Sequence, residues 1–192
     1  MVKTENFENL EITTAAQLRE WLQNNHTQKE SIWLVTYKKQ VPEKYVSIQE
    51  VLDQLLCFGW IDGIRRKLDD ERTMQLIAPR KAEHWAQTYK VRFDKLEAVG
   101  LVHQSGFLSV LASKNAGLWD FMDDVDNLIV PNDLQAALTK YNEAKLFFNA
   151  INDSSKRFVL RWIKLAKTDK TRASRIDQIV QLSLKGEKLK GS

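Results

Sequence analysis

Trp60-Ile61-Asp62-Gly63-Ile64-Arg65-Arg66-Lys67-Leu68 reads as an extended run, Asp69-Asp70-Glu71 as a turn, and Thr73-Met74-Gln75-Leu76-Ile77-Ala78 as a returning strand. In the second run Met74, Leu76 and Ala78 alternate with Gln75 and Ile77, the period of a strand, and Pro79, which has no N–H to give to a ladder, stops it. Two such runs joined by a short acidic turn specify an antiparallel hairpin. Upstream, within residues 31–39, Ile32, Leu34 and Thr36 alternate with Trp33, Val35 and Tyr37. Both faces of that run are partly apolar, which predicts a central, buried strand. The expectation is an α+β fold, a small antiparallel sheet flanked by helices.

The flanking helices carry their own signals. Ala15, Ala16, Leu18, Trp21 and Leu22 have helical spacing behind a Thr14 N-cap, and Asn24-Asn25-His26 ends them. Ser47 with Glu50 forms a capping box ahead of Ile48, Val51, Leu52, Leu55, Leu56 and Phe58, and Gly59 stands where a helix-ending glycine belongs. The first ten residues read as a frayed arm. From Ala82 the pattern turns helical, over 82–100 and 105–116. Asp123, Asp124, Asp126 and Asn127 read as an acidic linker closed by Val130-Pro131. The module boundary is placed there: residues 1–127 form the α+β module, and residues 128–192 an all-helical one, with helices near 132–140, 142–150, 154–166 and 171–184.

The 192 residues, 43% of them hydrophobic and six of them Trp, suffice for a core without staples. The N-terminus shows no secretory h-region, no run approaches the length of a membrane span, and Cys57 has no intrachain disulfide partner, so the expected compartment is the reducing cytoplasm. The net charge of +4 is unevenly spread: residues 1–149 hold 18 Lys and Arg against 21 Asp and Glu, residues 150–192 hold 11 against 4. A basic terminal helical module suits an anionic partner, or is simply a solvated face.

Three stretches carry a family resemblance. They are Cys57-Phe58-Gly59-Trp60-Ile61-Asp62-Gly63-Ile64-Arg65-Arg66; Ala78-Pro79-Arg80-Lys81 with Trp85 beyond; and Arg161-Trp162-Ile163 through Ala166-Lys167 to Thr171-Arg172 and Arg175-Ile176. In this order and spacing the chain resembles the YdeI/OmpD-associated family of bacterial bacteriocin-protection proteins, over roughly residues 30–187. It departs from the family pattern at Thr73 and at His84. The resemblance implies tolerance of antimicrobial peptides or bacteriocins, and brings no reaction, cofactor or catalytic residue with it.

The residues themselves offer two candidate sites. Strict alternation puts Trp60, Asp62, Ile64 and Arg66 on one face of the first hairpin strand and Ile61, Gly63, Arg65 and Lys67 on the other. An indole, a carboxylate and converging guanidiniums from Arg65, Arg66 and Arg80, with Trp85 nearby, suit a small anion. The competing reading is a structural Asp62–Arg pair with Trp60 in the core. The second candidate is basic: Arg157, Arg161 and Lys164 fall on one stripe beside an aromatic seam of Phe158, Trp162 and Leu165, followed by Arg172 and Arg175. Those last two lie near a helix N-terminus, where the dipole disfavours them, so Asp169, Asp177 or an external anion is expected to compensate.

Other chemistries are poorly supplied. Cys57 reads as a buried, inert thiol, with His84 the one histidine placed as its sheet neighbour. The acidic run Asp120, Asp123, Asp124, Asp126 lacks the spacing of a calcium loop, and no metal site, phosphate-binding glycine loop or Gly-x-Ser-x-Gly elbow is present. No catalytic residue and no cofactor is assigned. The leading expectation is a non-enzymatic cytoplasmic binding or protection protein whose ligand, an anion or a partner protein, meets Trp60, Asp62, Arg65, Arg66, Arg80 and Trp85. The alternatives are a nucleic-acid-binding protein using the basic helices, and a small enzyme with Asp62 as general base.

Overall fold

In the computed structural model, which describes residues 7–191, the Ser47 capping box forms and the Thr14 cap is a capping box as well. Thr14 accepts the Gln17 N–H and Ser47 the Glu50 N–H, while the Gln17 and Glu50 side chains reach back to the cap backbones. They start α1 (Ala15–Asn25) and α2 (Ile48–Cys57). Between the helices runs β2 (Ile32–Tyr37), buried along almost its whole length as its two apolar faces require. The hairpin is β3 (Trp60–Lys67) and β4 (Arg72–Pro79), and β4 pairs antiparallel with both β2 and β3.

The sheet differs from expectation in one strand. Asn9–Glu11, at the end of the stretch read as an arm, form β1 and pair in parallel with β2, Leu10 opposite Leu34. The sheet is therefore mixed, with strand order β1-β2-β4-β3 among the described residues. Residues 1–6 of that arm lie outside the described residues.

A bulge corrects the facial assignment of β3. The ladder runs from Asp62↔Ile77 to Arg65↔Gln75, so β3 spends one extra residue around Gly63. Asp62 and Arg65 thus share the face that carries Gln75 and Ile77, and Arg66, opposite Met74, points to the other. The Asp62–Ile77 face is the one the helices cover. Ile32, Leu34, Trp60 and Ile77 pack there against Leu18, Leu22, Val51, Leu55, Leu56, Trp85, Phe93 and Leu96.

After β4 the chain does not enter a helix at once. Residues 80–86 form a turn, and α3 (Gln87–Ala98) and α4 (Gln104–Asn115) follow. The carbonyls of this turn are taken by side chains, Ala82 O by the Ser113 hydroxyl at 2.6 Å and His84 O by Arg80 Nη1, which competes with a helical start at Ala82.

The chain divides into two compact units, the first ending at Phe121 and the second beginning at Met122. The acidic stretch read as a linker is a short helix of the second unit, α5 (Asp123–Asp126). The rest of that unit is α6 (Asn132–Thr139), α7 (Asn142–Ala150), α8 (Asp153–Lys164) and α9 (Asp169–Leu184). Its core holds Leu134, Leu138, Phe148, Val159, Leu160, Ile163, Ile179 and Val180. The buried face of α8 is therefore Val159, Leu160 and Ile163, and the expected seam of Phe158 and Trp162 lies outside it. No helix among the described residues is long and apolar enough to cross a membrane.

Candidate functional site

The bulge at Gly63 and the turn after Pro79 bring a polar chain onto the helix-covered side of the hairpin. Arg65 Nη2 donates to Gln75 Oε1 at 2.8 Å, and Gln75 Nε2 donates to Asp62 Oδ2 at 3.1 Å. The Tyr89 hydroxyl, from the first turn of α3, donates to Asp62 Oδ1 at 3.1 Å. The Arg80 guanidinium lies over the same Tyr89 ring, 4.4 Å from its centroid, and 4.7 Å from the Trp85 ring. Gln75 is buried, and its amide orientation is fixed by a donor on one side and a carboxylate on the other.

Arg80 is the unusual member. Its Nη1 donates to His84 O, but no carboxylate of the described residues is hydrogen-bonded to it. Its Nε is shielded from solvent without an acceptor, as is Nε1 of the fully buried Trp85. Burial pulls the Arg80 pKa from the usual arginine range to about 10, against the opposing pull of Tyr89 and Asp62. It remains a cation at neutral pH. Buried donors normally find partners, and these two, on neighbouring side chains, have none among the described residues.

Of the six residues expected to form the site, Asp62, Arg65, Arg80 and Trp85 are brought together. Arg66 is separated by the bulge, and its guanidinium lies 5.2 Å from the Trp33 ring. Trp60 is in the core, 1% exposed, edge-on to Trp21, with Nε1 donating to His26 O at 3.3 Å. It supports the strand rather than lining the site. Gln75 and Tyr89 were missed by sequence reasoning. The available signal was Gln75 itself, a polar residue in register with Ile77 on the core-facing side of an otherwise apolar strand.

A second cluster also escaped the sequence. His26, from the end of α1, and His103, the N-cap of α4, lie with ring centroids 4.9 Å apart, and His103 stacks on Phe58 at 4.7 Å. Arg19 sits over the other part of this group, 5.2 Å from the Phe58 ring. Cys57 is buried and its pKa is raised by burial, partly offset by Arg19, so it is an inert thiol.

His103 accepts the Ser105 N–H on Nδ1 at 3.2 Å, a cap that requires the neutral ring. Burial, with the positive fields of His26 and Arg19, holds its pKa below the ordinary value of 6.5. The unfolded chain therefore takes up this proton at a higher pH than the folded one. The stability His103 contributes is complete above 6.5 and is lost as the pH falls from there through the folded value. The urea midpoint is expected to drop as the pH is lowered from about 7 to about 5. His103→Asn, a cap without that proton, should remove this part of the slope; an unchanged slope would exclude His103 as its source. The carboxylates with lowered pKa values, Glu11, Glu50, Asp69 and Asp133, titrate below this window.

The basic helices are largely engaged within their own unit. Arg157 Nε donates to Asp126 O at 3.2 Å, Lys164 pairs with Asp124 at 2.5 Å, and Arg175 donates to Trp162 O while lying over the Trp162 ring. Arg172 holds Asp133 through two hydrogen bonds, of 2.6 and 2.9 Å, which keeps the Asp133 carboxyl below its usual range. The main compensating acid for Arg172 is thus Asp133, which lies on α6, with the charges of Asp124 and Asp169 adding to its effect. A cleft of about 530 Å³ lies between α6 and α9, with Asp133, Lys140, Tyr141, Arg172 and Asp177 on its walls. Among the described residues no group of three or more His, Cys, Asp or Glu side chains can hold a metal ion.

Residues 10–109 match the family model described as Domain of unknown function (DUF8412), and residues 127–186 match the model described as Bacteriocin-protection, YdeI or OmpD-Associated. No curated protein and no solved structure matches the chain. Of the three stretches that carried the resemblance, the basic helical one lies inside the YdeI/OmpD match, whereas the two hairpin stretches fall inside the other. The C-terminal unit thus matches the bacteriocin-protection, YdeI or OmpD-associated model over residues 127–186, and the chain belongs to the DUF8412 family.

Proposed function

We propose that the protein is a non-catalytic cytoplasmic binding protein, acting in protection, whose N-terminal unit holds an anionic ligand at Arg80. The observation that carries this reading is a largely buried guanidinium lying over the rings of Trp85 and Tyr89, with no carboxylate of the described residues bonded to it and two shielded donors unspent. Arginine presents a planar fork that matches a carboxylate or phosphate, and a partly desolvated site strengthens that contact. The Asp62 oxygens are held by Gln75 and Tyr89, which favours a binding role over acid–base chemistry. Nucleic acid is the weaker reading, because of Arg157, Arg161, Lys164, Arg172 and Arg175 only Arg161 has no partner within its unit among the described residues.

The test is titration with acetate and with inorganic phosphate at fixed ionic strength, read by thermal shift and by the side-chain N–H signals of arginine and tryptophan. At least one of the two anions is expected to stabilise the wild-type chain and to move the Arg80 and Trp85 signals. Arg80→Met should abolish both effects, and Arg80→Lys should weaken them. If neither anion moves those signals, the site does not bind anions.

A further inference from the structure

Asp62 and Arg80 carry opposite charges in one network and do not touch. Asp62 is held by two neutral donors, Tyr89 OH and Gln75 Nε2, and no cation of the described residues is paired with it. Arg80 gives one N–H to a backbone carbonyl, and its guanidinium lies over two aromatic rings. Tyr89 keeps the charges apart: its hydroxyl is at the carboxylate, and its ring face is under the guanidinium. Direct ion pairing is the usual way to offset the cost of desolvating two such groups, and it is not used here.

This arrangement discriminates among anions. A plain carboxylate that reaches Arg80 meets the field of Asp62, which opposes it. A ligand whose carboxylate faces Arg80 and whose ammonium faces Asp62 is attracted at both ends. The spacing is short, since only one phenol ring separates the two charges, and it admits a compact dipole rather than an extended one. The exposed Gly63, at the bulge beside Asp62, leaves that edge of the network without a covering side chain.

We infer that Asp62 and Arg80 form a recognition site for a short zwitterion of the α-amino-acid type. The inference rests on the anion-binding reading of Arg80 and narrows it. In it Arg80 binds the carboxylate, Asp62 binds the ammonium, and Gln75 with Arg65 is a positioning pair that holds Asp62 in place.

The experiment uses the full chain and three probes: alanine, propionate, which lacks its ammonium, and ethylamine, which lacks its carboxylate. Dissociation constants come from side-chain N–H shifts of arginine and tryptophan at fixed pH and ionic strength. Alanine is expected to bind at least about tenfold more tightly than propionate or ethylamine. Asp62→Asn should bring alanine down to the level of propionate without weakening propionate, and Arg80→Met should remove both. Equal affinities for alanine and propionate in the wild-type chain would overturn the zwitterion and leave the anion site standing. Silence toward alanine, propionate, acetate and phosphate alike would remove the anion site as well. The wild-type comparison needs no substitution, so a poorly folding variant does not blunt it.

Discussion

Gly59→Ala and Gly106→Ala should each destabilise the N-terminal unit by about 3 kcal/mol or more, because both place a methyl group where α4 meets the end of α2. A Cβ on Gly106 would lie 2.5 Å from Cys57 O, a backbone atom that cannot swing aside. A Cβ on Gly59 would lie 2.7 Å from Ser109 Cβ and 3.0 Å from Ser105 O. Gly59 also has φ +72°, the left-handed region, which alone costs an alanine about 1 kcal/mol. The closeness is built in: His103 N donates to Cys57 O at 3.0 Å and the Ser105 hydroxyl to Phe58 O at 3.1 Å. With roughly 4–8 °C lost per kcal/mol in a unit of this size, the melting temperature should fall by about 10 °C or more. Gly100→Ala is the control. Its φ of +71° is as unfavourable, but nothing lies within 4 Å, so only the backbone cost of about 1 kcal/mol is expected. Thermal melts of the three variants decide the point, and equal losses at Gly100 and Gly106 would show that close packing is not the cause.

Local rules reached far into this fold. Thr14 and Ser47 announced α1 and α2 because a cap acts within its own first turn, although Gln17 as the reciprocal partner of Thr14 was not read. β2 was readable as central because both its faces are apolar. Features set by distant partners were not readable. β1 is three residues long, too short for a period, and exists because β2 offers it an open edge. Arg172 finds Asp133 across 39 positions of sequence, a pairing no local pattern encodes. On α8 the sequence offers two apolar stripes, and packing within the unit selected Val159, Leu160 and Ile163 over Phe158 and Trp162.

The candidate site was half legible for a related reason. Its residue types were in view, but which face each took depended on the bulge. Alternation alone grouped Asp62 with Arg66; one extra residue at Gly63 groups it with Arg65 instead. A Cβ there would sit 3.3 Å from Leu76 O, tight but not prohibitive, so sequence alone does not distinguish an ordinary strand glycine from a bulge. Arg80 and Tyr89 meet only because the turn at 80–86 delays α3.

Trp60 separates support of this site from contact with its ligand. Trp60→Ala should cost the N-terminal unit roughly 3–5 kcal/mol, since it empties one of the largest buried volumes of the core and removes the edge-to-face partner of Trp21. Trp60→Phe keeps most of that volume. It loses the donor to His26 O, which costs about 1 kcal/mol, and leaves β3 paired through its unchanged backbone. The indole meets Trp21 and donates to His26 O, and makes no hydrogen bond to Asp62, Tyr89 or Arg80, so the folded Trp60→Phe protein should bind alanine or acetate within about twofold of the wild-type affinity. Urea denaturation and the side-chain N–H titration, run on the same two variants, give the stability and the affinity separately. A Trp60→Phe protein that melts as expected but loses its ligand would make the indole a contact residue and move the site toward the core end of β3.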